Sequence, residues 1–274
     1  MPAPQNVTSS PAAADRTGGD WLAAGLLLLG HGSARRPDAA AALGHLRDAL
    51  AEHRQFAEVG IGYLVGAPDA AGALAGMMAS RIYLLPCFIA AGYFSQVKLP
   101  DLLGLAGPLT RRGPRTLCYC EPLGESPGLS ELAAAQALRE ARRLGLAASG
   151  ATLLLVAHGT PRHPGSAENA RRHAAAIAAT STFATVAVAF IEEPPMLPDM
   201  LAALAGRDVI LVGLFAAEGG HGGADVTAAI AGEQSRRGSA TGLLAYAGAV
   251  GAEPGMADLA LAQVRDFDRR FGPG

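Results

Sequence analysis

The sequence predicts an α/β protein made of two similar lobes, each a mainly parallel four-stranded sheet flanked by helices, with a cleft between them. A repeat carries the two-lobe part. His31 and His158 stand 127 residues apart, and the same offset pairs Pro37 with Pro164, Phe88 with Phe215, Gly92 with Gly219 and Tyr119 with Tyr246. It continues through Gly124, Pro127, Gly128 and Leu132, which pair with Gly251, Pro254, Gly255 and Leu259. An ungapped offset that survives from the first strand to the last helix implies a copied unit. The expected boundaries are 21–147 and 148–274, preceded by a tail over 1–20. The α/β part rests on short, continuous apolar runs that alternate with Ala-rich helical stretches. That is the pattern of parallel strands covered on both faces by crossover helices.

In the second copy the strands are expected near Thr152–Ala157, Ala184–Ile191, Val209–Phe215 and Gly242–Ala247. Helices fall around Glu168–Ala179, Leu197–Ala205, Ala224–Ser235 and Met256–Phe271. Right-handed crossovers gather the strand-to-helix loops on one sheet edge, the edge at which open α/β sheets bind ligands.

Composition narrows the class. The chain has 274 residues, 50% of them hydrophobic, enough for one large or two small buried cores. Its 22 basic residues against 24 acidic ones leave no sequence-wide basic field for nucleic acid. No apolar run reaches the ~20 residues of a membrane span. The Pro-, Ala- and Ser-rich start lacks a secretory pattern and reads as a disordered tail. Three cysteines form no even framework, which suits a reduced, cytoplasmic setting.

Three groups in the second copy belong at successive strand ends: His158 in "LLLVAHGT", Glu192 in "VAVAFIEEPP" and His221 in "GLFAAEGGHGGAD". A single histidine after a strand is commonly a structural hydrogen-bonding group. Two imidazoles and a carboxylate converging on a ligand edge make a borderline ligand set for Co²⁺, Fe²⁺, Ni²⁺ or Zn²⁺, with positions left open for chemistry. Glu192 can orient a histidine, bind the metal or accept a proton. Its neighbour Glu193 is the weaker candidate, because adjacent residues of an extended strand point to opposite faces.

In that order, "LLLVAHGTPRHPGS", "VAVAFIEEPPML" and "VGLFAAEGGHGGADV" resemble the motifs of class II tetrapyrrole chelatases. More narrowly they are similar to the sirohydrochlorin cobalt- and iron-chelatases of the cobalamin and siroheme pathways. The resemblance covers nearly all of the chain after the tail. It implies two chelatase-like lobes around a cleft, and ATP-independent insertion of a divalent metal into a carboxylated tetrapyrrole. The metal, Co²⁺ or Fe²⁺ with Ni²⁺ and Zn²⁺ as alternatives, is then a substrate, and no organic cofactor is implied. His158, His221 and Glu192 become both the catalytic and the metal-handling groups. A tetrapyrrole or metal carrier of the same fold is the alternative, and a metal-dependent hydrolase is a third reading. No nucleic acid or membrane partner is expected, and a monomer and a homodimer fit equally.

The copies are not equivalent. His31 matches His158, but Val65 stands at the Glu192 position and Phe94 at the His221 position. Neither can ligate a metal or move a proton. The expectation is one working lobe over 148–274 and a degenerate one over 21–147, with His31 contributing at most across the cleft. Long members of the family resemble the reverse case, with ligands kept in the first lobe.

The substrate's carboxylates call for donors, which points to Arg162, Thr160 and Arg35, with His31, as substrate-binding residues. Arg36, His163 and Lys98 lie on the same expected edge. Asp225 is either a helix cap or a catalytic group, and Glu218 is a candidate for metal entry. Cys118 and Cys120 share one strand face and read as buried free thiols.

Overall fold

The structure is a computed structural model that describes residues 21–33, 37–160, 165–218, 221–237 and 242–272, the side chains of 37–40, 221, 222 and 237 excepted. The expected tail, Arg35, Arg36, Arg162 and His163 lie outside the described residues. The first half runs β1 (Gly25–Gly32), α1 (Pro37–Glu52), β2 (Glu58–Val65), α2 (Ala70–Gly76), β3 (Arg81–Pro86), α3 (Leu99–Leu103), β4 (Leu109–Arg112), β5 (Arg115–Tyr119) and α4 (Gly128–Arg143). The second runs β6 (Thr152–Ala157), α5 (Gly165–Ala178), β7 (Thr185–Phe190), α6 (Leu197–Ala203), β8 (Val209–Gly213), α7 (His221–Arg237), β9 (Leu244–Ala249) and α8 (Met256–Phe271).

Both sheets share one topology. The first has strand order β2-β1-β3-β5-β4 and the second β7-β6-β8-β9. All neighbours are parallel except the β4–β5 hairpin. The first sheet therefore has five strands, one more than the sequence pattern predicts. The extra edge strand, in "LTRRGPRTLCY", is too short and too polar to register as an apolar run. In the second half the 17-residue α7 occupies the stretch that in the first half holds α3 and leads into β4.

Strand residues alternate between two cores. Leu27 and Leu29 of β1 pack outward with Leu74, Leu99 and Leu103, while Leu154 and Val156 of β6 pack outward with Leu197, Leu201 and Val226. Leu26, Leu28, Leu153 and Leu155 face inward into a single core that spans both halves. Both faces of each strand are apolar because helices cover both faces.

The inner layer exchanges helices. α4 closes the first half in sequence yet packs on β8 and β9, and α8 packs on β3 and α1. Leu129, Ala133, Ala137 and Ala141 form the buried stripe of α4, and Leu259, Val264 and Phe267 belong to that of α8. Spacings of three and four keep each stripe on one helix face. A glutamine reaches across from each helix: Gln136 donates to the Ala247 carbonyl at 3.0 Å and Gln263 to the Pro122 carbonyl at 2.8 Å. These two glutamines are themselves 127 residues apart. Asp268 of α8 accepts from Trp21 Nε1 at 2.7 Å, from the Tyr83 hydroxyl at 2.7 Å and from Arg81 at 3.1 Å. Cys118 and Cys120 lie in the shared core, and burial pushes the Cys118 thiol up to about 11. They are structural thiols.

Candidate metal and tetrapyrrole site

A cavity of about 430 Å³ lies between the carboxyl edges of the two sheets, within the usual size of a ligand site. The repeat reappears in its walls: His31 with His158, Phe88 with Phe215, and Ala90 with Ala217. Leu43, Leu46, Leu214 and Met256 also line it, and among the described residues no lysine or arginine does.

Each histidine is aimed by the glycine after it. Gly32 and Gly159 have φ of +70° and +71°, a region open to glycine and strained for other residues. A Cβ at Gly32 would meet the Val65 carbonyl at 2.0 Å, and one at Gly159 would meet Phe190 Cβ at 2.9 Å. The chain turns sharply at both places, leaving the preceding imidazole at the cavity wall.

In the second half, the Glu192 N–H donates to the His158 carbonyl at 2.9 Å, which ties the end of β7 to the end of β6. Their side chains meet, His158 Nε2 lying 3.3 Å from Glu192 Oε1, and both are about half exposed (46% and 52%). A solvent-open imidazole–carboxylate pair can accept a hydrated cation and exchange its waters. His221 is the first residue of α7, the next helix in the chain after β8, the strand beside β6. His158 and Glu192 thus follow the ends of the adjoining strands β6 and β7, and His221 begins the helix that comes after β8. His158 and Glu192 are brought into contact, while the His221 side chain lies outside the described residues. Among the described residues no three His, Cys, Asp or Glu side chains gather as a metal-holding group.

The other candidates separate clearly. The Thr160 N–H donates to Glu193 Oε1 at 3.1 Å, so Glu193 braces the loop after His158 while Glu192 faces the imidazole. Glu218 is turned onto the backbone: its carboxylate accepts from the Ala249 N–H and lies against Gly248. That contact gives it a structural role in holding the end of β9. Asp225 sits four residues into α7, past any capping position. Lys98 is exposed at the end of the helical turn that precedes α3. In the first half, His31 Nδ1 lies 2.9 Å from the Gly32 carbonyl, so it is the donor there and Nε2 keeps the lone pair in the neutral ring. Phe94 stands edge-on to that imidazole, with centroids 4.6 Å apart and planes at 84°.

One network escaped the sequence reading. On α5, buried His173 bonds Ser130 Oγ through Nδ1 at 2.7 Å and the Gly124 carbonyl through Nε2 at 2.8 Å. One turn earlier, Asn169 donates to the same carbonyl at 2.9 Å and to Glu125 at 3.0 Å. Glu125 also accepts from the Ala91 N–H at 2.8 Å and pairs with Arg172 at 2.8 Å. Burial alone would raise the Glu125 carboxyl, but these donors together hold it below its ordinary value. Burial lowers the His173 imidazole. The available signal was the offset, which sets Asn169 and His173 against Ala42 and Leu46.

The CbiX family model matches residues 25–140 and again 152–267, two stretches separated by the same 127 residues. The chain belongs to the CbiX family. Its relatives include a protein of Halobacterium salinarum named "Probable sirohydrochlorin cobaltochelatase", 26% identical over 90% of this chain and 92% of that one. Among solved structures, a multi-domain Deinococcus radiodurans protein described as similar to chelatases superposes with a TM-score of 0.76 at 29% identity. That match covers 88% of this CbiX chain but only 54% of the Deinococcus protein. A CbiX structure described as the terminal enzyme of siroheme biosynthesis in denitrifying bacteria gives 0.63 at 26% identity, over 90% of this chain and 99% of that one. SirB of Bacillus subtilis, solved with Fe³⁺, shares the fold at a TM-score of 0.75 and 15% identity over 90% of this chain and 97% of its own.

Proposed function

We propose that this CbiX-family chain is a sirohydrochlorin chelatase that inserts Co²⁺ or Fe²⁺ into a carboxylated tetrapyrrole without ATP. In this reading residues 148–274 carry the working site and 21–147 wall the cleft. The observation that carries it is the His158–Glu192 pair, 3.3 Å apart at the rim of a cavity that His31 faces from the other half. The naming of the Halobacterium relative as a cobaltochelatase supports the same substrate class. The three cysteines are free thiols, which suits the reducing cytoplasm in which we expect the reaction.

Insertion exchanges one divalent cation for two pyrrole N–H protons. A metal held by His158, Glu192 and His221 keeps open positions, so the ring nitrogens can replace water and then protein ligands stepwise. A closed four-ligand site would retain it. The two departing protons need acceptors near neutral pH, the natural task of an imidazole freed from metal. The apolar cavity favours the ring over its rim, so the substrate's carboxylates stay at the mouth, where Thr160 and the arginines Arg35 and Arg162 are the candidate donors.

The test is the absorbance change on adding Co²⁺ or Fe²⁺ to sirohydrochlorin with wild type, His158→Ala and His221→Ala. Each substitution is expected to lower turnover by about 10²–10⁴-fold, the usual worth of a positioned acid–base group. Turnover that survives in both variants refutes this site. Tetrapyrrole binding by the wild type without metallation would make the chain a carrier and overturn the enzymatic reading.

A further inference from the structure

The two positions at which the first half departs from the second have acquired a common character. Val65 stands where Glu192 would be and Phe94 where His221 would be, and both are exposed at 42%. Tyr93 (55%) and Val97 (44%) extend the same surface. Val65 is paired with Gly32, beside His31, and Phe94 lies across the His31 ring. Two of its members, Val65 and Phe94, therefore adjoin Gly32 and His31, which line the cavity. Contiguous exposed apolar side chains on a soluble protein mark a contact surface.

The segment bearing them is firmly held. Phe94–Lys98 forms a π-helical turn in which the Leu99 N–H reaches back to the Phe94 carbonyl, a geometry that recurs at functional sites. The buried Ser95 hydroxyl accepts from the Gly92 N–H at 3.1 Å, and the Tyr119 hydroxyl donates to the Ser95 carbonyl at 2.5 Å. Leu99 is fully buried in the outer core. Its exposed aromatics are thus presented by a fixed scaffold, and Lys98, exposed at the end of the turn, adds one cation at its margin.

We propose that Val65, Tyr93, Phe94 and Val97 form the platform on which the flat face of the tetrapyrrole rests, with Lys98 meeting a peripheral carboxylate. The degenerate half has exchanged metal handling for macrocycle binding: one half grips the ring while the other delivers the cation. The occupant is a planar, π-rich ring with an acidic edge. The aromatic pair Tyr93–Phe94, the apolar flank and the marginal cation match that chemistry, and so does the place of Phe94 and Val65 beside the cavity-lining His31 and Gly32. This proposal rests on the tetrapyrrole reading above and adds which residues bind the ring.

Metal-free sirohydrochlorin is the probe, with its binding read by equilibrium dialysis. In Phe94→Ala the dissociation constant for the free tetrapyrrole is expected to rise about tenfold, the loss of roughly one aromatic contact. Phe94→Trp should bind as wild type does. In metallation assays Phe94→Ala should raise KM for the tetrapyrrole and leave KM for Co²⁺ unchanged. Phe94 is exposed, so its removal spares the core, and unfolding curves of the variants verify this. If wild type binds and Phe94→Ala binds equally well, the platform is refuted while the chelatase reading stands. If wild type binds no sirohydrochlorin, the reading and the platform fail together. A concentration-dependent dimer seen by light scattering and abolished by Phe94→Ala would show the patch to be an interface between copies, and would overturn the proposal.

Discussion

At the scale of single residues, the site depends on which carboxylate of an adjacent pair faces the imidazole. Glu192 and Glu193 are chemically identical and neighbours in sequence, yet Glu192 meets His158 Nε2 while Glu193 braces the Thr160 N–H. The two tasks separate in mutants. Glu192→Gln keeps the shape but removes the charge, and is expected to lower the metal-insertion rate about 10–100-fold, as loss of a metal-site carboxylate commonly does. Glu193→Gln still accepts the Thr160 N–H, so its rate should stay within a few-fold of wild type, both read by initial rates of Co²⁺ insertion. Gly159 is equally specific. Its φ of +71° and the 2.9 Å approach to Phe190 leave no room for a Cβ, so Gly159→Ala should lower stability by about 1–3 kcal/mol in denaturant unfolding. Much of this was legible in the sequence, because the offset of 127 exposes which groups the first half lacks. The roles of Glu218 and Asp225 were not, since each depends on where α7 and β9 begin and end.

Among elements, α5 shows how a helix face is specialised after copying. Its counterpart α1 offers Ala42 and Leu46 to the cavity, whereas α5 offers Asn169 and His173 to the first half. The clasp has a definite pH dependence. His173 is lowered by burial from 6.5, so the unfolded chain takes up a proton that the folded chain resists. Stability from this group is complete above about pH 6.5 and declines as pH falls toward the lowered folded value. Glu125, held below 4.5, loses its contribution in the same direction but only at lower pH. Thermal unfolding between pH 7.5 and pH 5 should therefore show a falling Tm that is flatter in His173→Gln; an equal slope in both proteins would contradict the assignment. Element types followed from continuous apolar runs and helical spacing. The edge strand β4 and the π-helical turn at Phe94 did not, because neither leaves a periodic apolar trace.

For the molecule as a whole, the exchanged closing helices decide how the halves cohere. Sequence similarity divides the chain near residue 147, but α4 covers the second sheet and α8 the first. Asp268 secures that exchange by gathering Trp21, Arg81 and Tyr83 from the first half. Removing it leaves an arginine and a phenol without their acceptor, so Asp268→Ala should lose about 2–4 kcal/mol. Unfolding should remain a single transition seen identically by circular dichroism and Trp21 fluorescence. A chain limited to 148–274 lacks the α4 cover over β8 and β9, and is expected to expose that face and bind an apolar dye. Helix exchange left no mark in composition or periodicity, because a stripe of buried residues does not say whose sheet it meets.

The two copied histidines at the cleft have unequal tasks in the proposed reaction, and steady-state metallation kinetics of His158→Ala and His31→Ala separate them. His158→Ala is expected to lose kcat by about 10²-fold or more, whereas His31→Ala retains kcat within a few-fold and shows its effect in KM for the tetrapyrrole. Loss of kcat in His31→Ala with turnover preserved in His158→Ala would contradict that assignment.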